Sequence, residues 1–216
     1  MKIAVASDTL GGLPTIEGEY DLFVHCGNFC PVNYGDKEDI ASQIEWLESM
    51  FRPWLSSIKA KHKIIVAGNT DFAVNFLDPN FEYHVDAIYL RNEAVTIDGL
   101  IVYGMPWISP DLELEIPASS CFIASTGEAY QSALNRIPDY VNLLITRVPP
   151  AGILDRLDGN SIGDDKLRDR IGNLNSLKMH FFGAAADDGG KNLYKNQRLF
   201  VNGCLKQTGY VCVDWS

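Results

Sequence analysis

The sequence predicts a single α/β domain, residues 1–216, and three observations carry that prediction. Short apolar runs recur from one end to the other and alternate with stretches whose apolar residues fall at helical spacing. Polar loops repeatedly close those runs, as at Ser7-Asp8-Thr9, Gly27-Asn28 and Gly68-Asn69-Thr70-Asp71. Hydrophobic residues make up 46% of the 216, enough to bury a substantial core as one domain.

Lys2 to Ala6 reads as a buried strand, and Asp21 to Cys26 repeats its form. Asp36 is placed to cap a long helix with Ile40, Ile44, Leu47 and Phe51 on one face. Pro53 should kink or interrupt that helix before Trp54, Leu55 and Ile58 continue it. Lys63 to Ala67 is a third strand and Val85 to Leu90 a fourth. Ala94 to Ile97 and Leu100 to Tyr103 are joined by Asp98-Gly99, a tight-hairpin signal because both positions tolerate positive φ. Pro106 to Ser119 reads as a loop and Ala124 to Arg136 as a helix. A strand at Val141 to Thr146, a helix around Asp164 to Ile171, and strands at Lys178 to Phe182, Leu199 to Val201 and Tyr210 to Val213 complete the chain. In α/β proteins the carboxyl ends of strands aim side chains into a crevice, so the loops after these strands are where a site is expected.

The formal net charge of -10 argues against broad, sequence-independent binding of nucleic acid or anionic membrane, and it suits a basic protein partner. No apolar run approaches the ~20 residues of a membrane span, and the apolar start is too short for a secretory leader; the expected address is the cytoplasm. The five cysteines, Cys26, Cys30, Cys121, Cys204 and Cys212, are expected as reduced thiols in a chain large enough to need no staples.

The polar loops come in a recognisable order: Ser7-Asp8-Thr9-Leu10, His25-Cys26-Gly27-Asn28, Gly68-Asn69-Thr70-Asp71, Thr146-Arg147-Val148-Pro149-Pro150 and Phe182-Gly183-Ala184-Ala185-Ala186. This resembles the calcineurin-like metallophosphoesterases, whose loops read DxH, GD, GNH, a His before a Pro-Pro pair, and GHxH. Gly104-Met105-Pro106-Trp107, Pro149 to Asp155 and Val201-Asn202-Gly203 are similar to the branch of small phosphodiesterase-like members. The resemblance implies a four-layer αββα sandwich with two mixed sheets. It also implies an ancestral site for two divalent metals, such as Mn or Fe/Zn, that activate a bridging water and clamp a phosphoryl group.

This chain departs from that pattern at most of its metal positions. The family's ligand His in the first loop is Leu10, the bridging Asp in the second is Asn28, and the catalytic His in the third is Thr70. The fourth-loop His is Arg147, and both fifth-loop His ligands are Ala184 and Ala186. Asp8 and Asn69 alone match the ligand set. A guanidinium among dications repels each unit charge a few Å away by roughly 4 kcal/mol at an effective dielectric of ~20. No catalytic residue and no bound metal are therefore expected.

Two roles are open to Arg147. It can hold a phosphate or nucleotide beside Asn28, Asn69, Thr70 and Asp8, or it can pair with Asp8 and plug the space the metals would fill; the plug is the preferred reading. His25 is read as a buried structural imidazole, and His62, His84 and His180 as outside the site. Asp187 and Asp188 could join Asp8 around one hard cation, with turn roles preferred. Trp46, Trp54, Trp107 and Trp215 are read as core. The functional expectation is an inactive phosphoesterase fold that binds a protein partner or a phosphate ligand. The alternative is a residual metal-dependent phosphodiesterase or phosphatase with a rebuilt site.

Overall fold

A computed structural model describes residues 1–32, 40–77, 80–81, 85–112, 120–205 and 209–215. The first sheet contains β1 (Lys2–Ala6), β2 (Tyr20–His25), β3 (Ala60–Ile65) and β4 (Ile88–Tyr89), all parallel, with β13 (Val211–Asp214) antiparallel against β1. The second contains β5 (Glu93–Ile97), β6 (Leu100–Met105), β7 (Leu143–Thr146), β10 (Met179–Phe182), β11 (Asn192–Lys195) and β12 (Arg198–Asn202). Its order is β11-β12-β10-β7-β6-β5, parallel in the middle and antiparallel at both edges. β8 (Arg156–Leu157) and β9 (Asn160–Ser161) form a separate small hairpin. The chain is an α/β protein with two mixed sheets.

Strand alternation builds the layers. Ile3, Val5, Leu22 and Val24 of the first sheet meet Val102, Leu143, Ile145, Met179 and Phe181 of the second in one core between the sheets. The intervening residues Ala4, Phe23 and Ile65 face a second core, completed by Leu47, Phe51, Leu55, Ala73 and Val74 from the helices of the first half. Tyr103, Leu144, Phe182 and Phe200 face a third, covered by Tyr130, Leu134, Leu167 and Ile171. Helix, sheet, sheet and helix follow as four layers because the central strands, such as β1, β2, β7 and β10, bury both of their faces.

The helices are α1 (Ile40–Trp46), α2 (Arg52–Ser57), α3 (Phe72–Leu77), α4 (Gly127–Asn135) and α5 (Asp165–Gly172). The interruption expected at Pro53 takes the form of a change of helix type rather than a break. A π turn at Leu47–Phe51 leads into α2 through helical backbone, and Pro53 sits in the first turn of α2. There its missing N–H matters least, and the wide turn absorbs the register change. Asp36 lies outside the described residues. α4 starts later than expected, because Ile123 and Ala124 are held against Ile108 by a β-bridge and Thr126 caps the helix, its Oγ1 accepting the Ala129 N–H at 3.1 Å. Asp164 caps α5 in the same way. The Asp98-Gly99 hairpin forms as read, both residues with positive φ.

Candidate functional site

The loops after β1, β2, β3, β7 and β10 converge. Asp8, Asn28 and Ala184 each leave their strand in the left-handed region, at φ 57, 57 and 70. That conformation is costly outside glycine, and here a dense network holds it. Arg147 donates from Nη2 to Asp8 Oδ1 at 2.6 Å and from Nη1 to Asp8 Oδ2 at 3.3 Å, a bidentate pair. Its Nε donates to Asn69 Oδ1 at 3.2 Å. Asp8 is 7% and Arg147 5% exposed, so the pair is closed to solvent.

The remaining groups complete Asp8 rather than leave it open. The Ala184 N–H and Ser7 Oγ both donate to Asp8 Oδ2, at 2.9 and 2.8 Å. Asn28 Nδ2 donates to Asn69 Oδ1 at 3.2 Å and reaches Asp8 Oδ1 at 3.5 Å. Asn28 Oδ1 accepts the Thr70 N–H at 3.1 Å. Leu10 contributes only its backbone, donating to Asn28 O, and Ala186 opens a 3-10 turn with no donor atom in its side chain. Asp8, Asn28, Asn69, Thr70, Arg147 and Ala184 are thus brought together, while Leu10 and Ala186 sit in the same loops and supply no polar side chain. Glycine lets the strands approach this closely: a Cβ on Gly68 would lie 2.2 Å from Asn28 Oδ1 and 2.9 Å from Arg147 Cδ.

Two further residues organise the site, and the spacing of motifs does not single them out. Asp71 is fully buried and accepts the backbone N–H groups of Asn28 (2.8 Å), Cys30 (2.9 Å) and Gly68 (2.7 Å), tying the second loop to the third. Burial raises its carboxyl to about 6 against the pull of those N–H groups and Arg147. Gln43 of α1 donates to Pro31 O and Thr70 O and accepts from the Ala73 N–H. A polar residue on the otherwise apolar face of a helix was the available signal for Gln43.

His25 is buried beside the site, as read from the sequence. It accepts the Gly27 N–H at Nδ1 (3.2 Å), which leaves Nε2 as the donor to Thr9 Oγ1 at 3.2 Å. His180 lies on the other sheet and meets Thr146 Oγ1 at 2.8 Å; that hydroxyl donates to Val148 O, so the imidazole donates to it. His62 pairs with Asp98 at the surface, and His84 lies outside the described residues. Burial lowers both His25 and His180 to about 3. An unfolded chain protonates these imidazoles below about pH 6.5, whereas the folded one holds them neutral to about pH 3, so stability falls as pH drops through that window. Asp71 acts with opposite sign between about pH 6 and 4, because its folded carboxyl takes up a proton first. The imidazoles dominate, at about 2 kcal/mol each by pH 5. Urea unfolding at pH 7.5 and at pH 5 is expected to show a lower free energy at pH 5, and a flat or rising profile would contradict this reading.

Asp187 and Asp188 do not turn toward Asp8. Asp187 accepts the Gly159 N–H at 2.9 Å, and Asp188 accepts the Arg156 N–H at 3.0 Å and pairs with Lys191, so both pin the β8–β9 hairpin. Among the described residues, no three His, Cys, Asp or Glu side chains are arranged to hold a metal ion. Both Asp8 oxygens face a guanidinium and both Asp71 oxygens face backbone N–H groups. The residues present therefore do not fit a pair of dications. No disulfide joins the five cysteines, and among the described residues no helix is long and apolar enough to cross a membrane.

No family model matches the chain. A UPF0046 protein of Caenorhabditis elegans is 26% identical over 206 residues, covering 86% of this chain and 67% of its own length. The metallophosphoesterase domain-containing protein 1 of Homo sapiens is 25% identical over 209 residues, covering 84% of this chain. This chain spans 59% of that human relative. A solved crystal structure, 15% identical, matches 100% of this chain and 99% of its own with a TM-score of 0.65, which establishes the shared fold. In sequence, the chain is related to proteins named for a metallophosphoesterase domain, and it shares its α/β fold with a solved structure.

Proposed function

We propose that this protein acts by binding rather than by hydrolysis, as a metallophosphoesterase fold whose metal crevice is closed by an internal ion pair. The Arg147–Asp8 contact carries the reading. Metal-assisted hydrolysis needs a cation to lower the pKa of water from ~15.7 toward neutrality, and a fixed positive charge on the surviving carboxylate opposes one. Rebuilding the site from Asp187 and Asp188 finds no support in their geometry, since both are committed to backbone N–H groups.

Between the two binding roles, the network favours a protein partner over a phosphate held in the crevice. Arg147 Nε, Nη1 and Nη2 are all engaged, and a phosphate or nucleotide would have to displace Asp8. The formal charge of -10 would steer a basic partner toward the surface. A cytoplasmic setting suits five cysteines without a disulfide.

Hydrolysis of bis(4-nitrophenyl) phosphate tests the proposal, with millimolar Mn²⁺ in one arm and EDTA in the other. The expected result is no difference between the arms and no rate above buffer. Turnover that EDTA abolishes would return the chain to the phosphodiesterases.

A further inference from the structure

A cavity of about 430 Å³ lies between α4 and Trp107, and none of Asp8, Asn28, Asn69, Thr70 or Arg147 lines it. Its floor is one face of α4: Ala129, Ser132, Ala133 and Arg136 fall at i, i+3, i+4 and i+7. The first three are small, which leaves a flat slot opposite the indole. Trp107 was read as core from the sequence; it is half-buried, packed edge-on against Phe122 at 5.8 Å, and lines the slot. Arg136, at the end of α4, brings the only formal charge to the lining and forms no ion pair among the described residues.

Polar groups around the slot lack partners. Asn92 lines the cavity and its Oδ1 is buried with no hydrogen bond. The Tyr103 hydroxyl, near enough to Arg136 to feel its charge, is also buried and unsatisfied. Native interiors leave few such groups, and each calls for a reason. Apolar walls, a handful of polar groups and a volume within the ~300–1,000 Å³ range describe a small-molecule site.

We propose that this cavity binds a small planar aromatic carboxylate, with its ring between Trp107 and the small-residue face of α4 and its carboxylate on Arg136. A ring N–H or O–H would meet the unsatisfied Asn92 Oδ1. One guanidinium matches one carboxylate bidentately. This site is independent of the plugged crevice and stands whether or not that crevice holds metal.

Ligand-observed NMR and titration calorimetry on the whole chain test the proposal. Indole-3-acetate, anthranilate and 4-hydroxybenzoate serve as probes, indole-3-acetamide as the uncharged control and AMP as the phosphate control. At least one acid is expected to bind, with the amide weaker by roughly tenfold or more, as loss of a charge-assisted hydrogen bond requires. Arg136→Ala should weaken the acid by a similar factor, and Ser132→Leu, at an exposed position, should abolish binding with the melting temperature retained. The proposal is overturned if no acid binds at millimolar concentration, if Arg136→Ala leaves binding unchanged, or if AMP binds more tightly than the acids.

Discussion

Arg147→Ala is expected to cost about 3–5 kcal/mol of folding stability, the usual penalty for removing one partner of a buried ion pair. For a chain of this size each kcal/mol lowers the melting temperature by about 2–4 °C, so a fall of roughly 6–20 °C should be seen. The penalty follows from what remains: Asp8 would keep its negative charge and lose the guanidinium that faces both of its oxygens. The Ala184 N–H and Ser7 hydroxyl are too few to replace a full charge. The double change Asp8→Asn with Arg147→Met should be less destabilised than Arg147→Ala alone. It removes both charges, keeps an acceptor for the Ala184 N–H and fills much of the guanidinium's volume. If Arg147→Ala melted within about 0.5 kcal/mol of the parent, as surface changes do, the ion pair would not be the centre of the network.

Asp71→Ala should be comparably severe. Its carboxylate satisfies three buried backbone N–H groups in two different loops, and each orphaned donor costs about 1–3 kcal/mol. Burial taxes the carboxylate, as its raised pKa shows, but the alternative of three unmet donors is worse. Asp71→Asn should be milder than Asp71→Ala, because one amide oxygen can still accept from Asn28 and Gly68. Paired thermal and urea melts of the two variants check the order, and the reverse order would show that the loss of backbone acceptors does not set the cost at this position.

The sequence makes the layers legible wherever alternation is strict. Ile3 and Val5 against Ala4 and Ala6 in β1, or Met179 and Phe181 against Phe182 in β10, fix which face meets the other sheet. It is weaker where pairing rather than pattern decides. β3 runs from Ala60 to Ile65 rather than from Lys63, since its early residues pair with the parallel β2 although Lys61, His62 and Lys63 form a polar run with no strand pattern. β4 keeps only Ile88 and Tyr89 of the expected run. The β11–β12 hairpin turns at Asn196-Gln197, both at positive φ, where no glycine marks the turn. β8 and β9 turn at Asp158-Gly159, both at positive φ and the same signal as Asp98-Gly99, while the support from Asp187 and Asp188 in a distant loop carries no local signal.

At the site, motif order places Asp8, Asn28, Asn69, Thr70, Arg147 and Ala184 in one crevice, and leaves open whether Arg147 pairs with Asp8 or waits for an anion. Only coordinates decide that, because the answer lies in a 2.6 Å contact between residues 139 positions apart. Asp71 was hidden for a different reason: it serves backbone groups, and backbone demand carries no residue signature.

Crystals grown in millimolar Mn²⁺ and recorded at the manganese edge address the central point most directly. The expected anomalous map is empty at the loops after β1, β2, β3, β7 and β10, with guanidinium density continuous to Asp8. Two well-occupied peaks there, with Arg147 swung away from Asp8, would contradict the ion-pair plug and restore a metal-dependent enzyme.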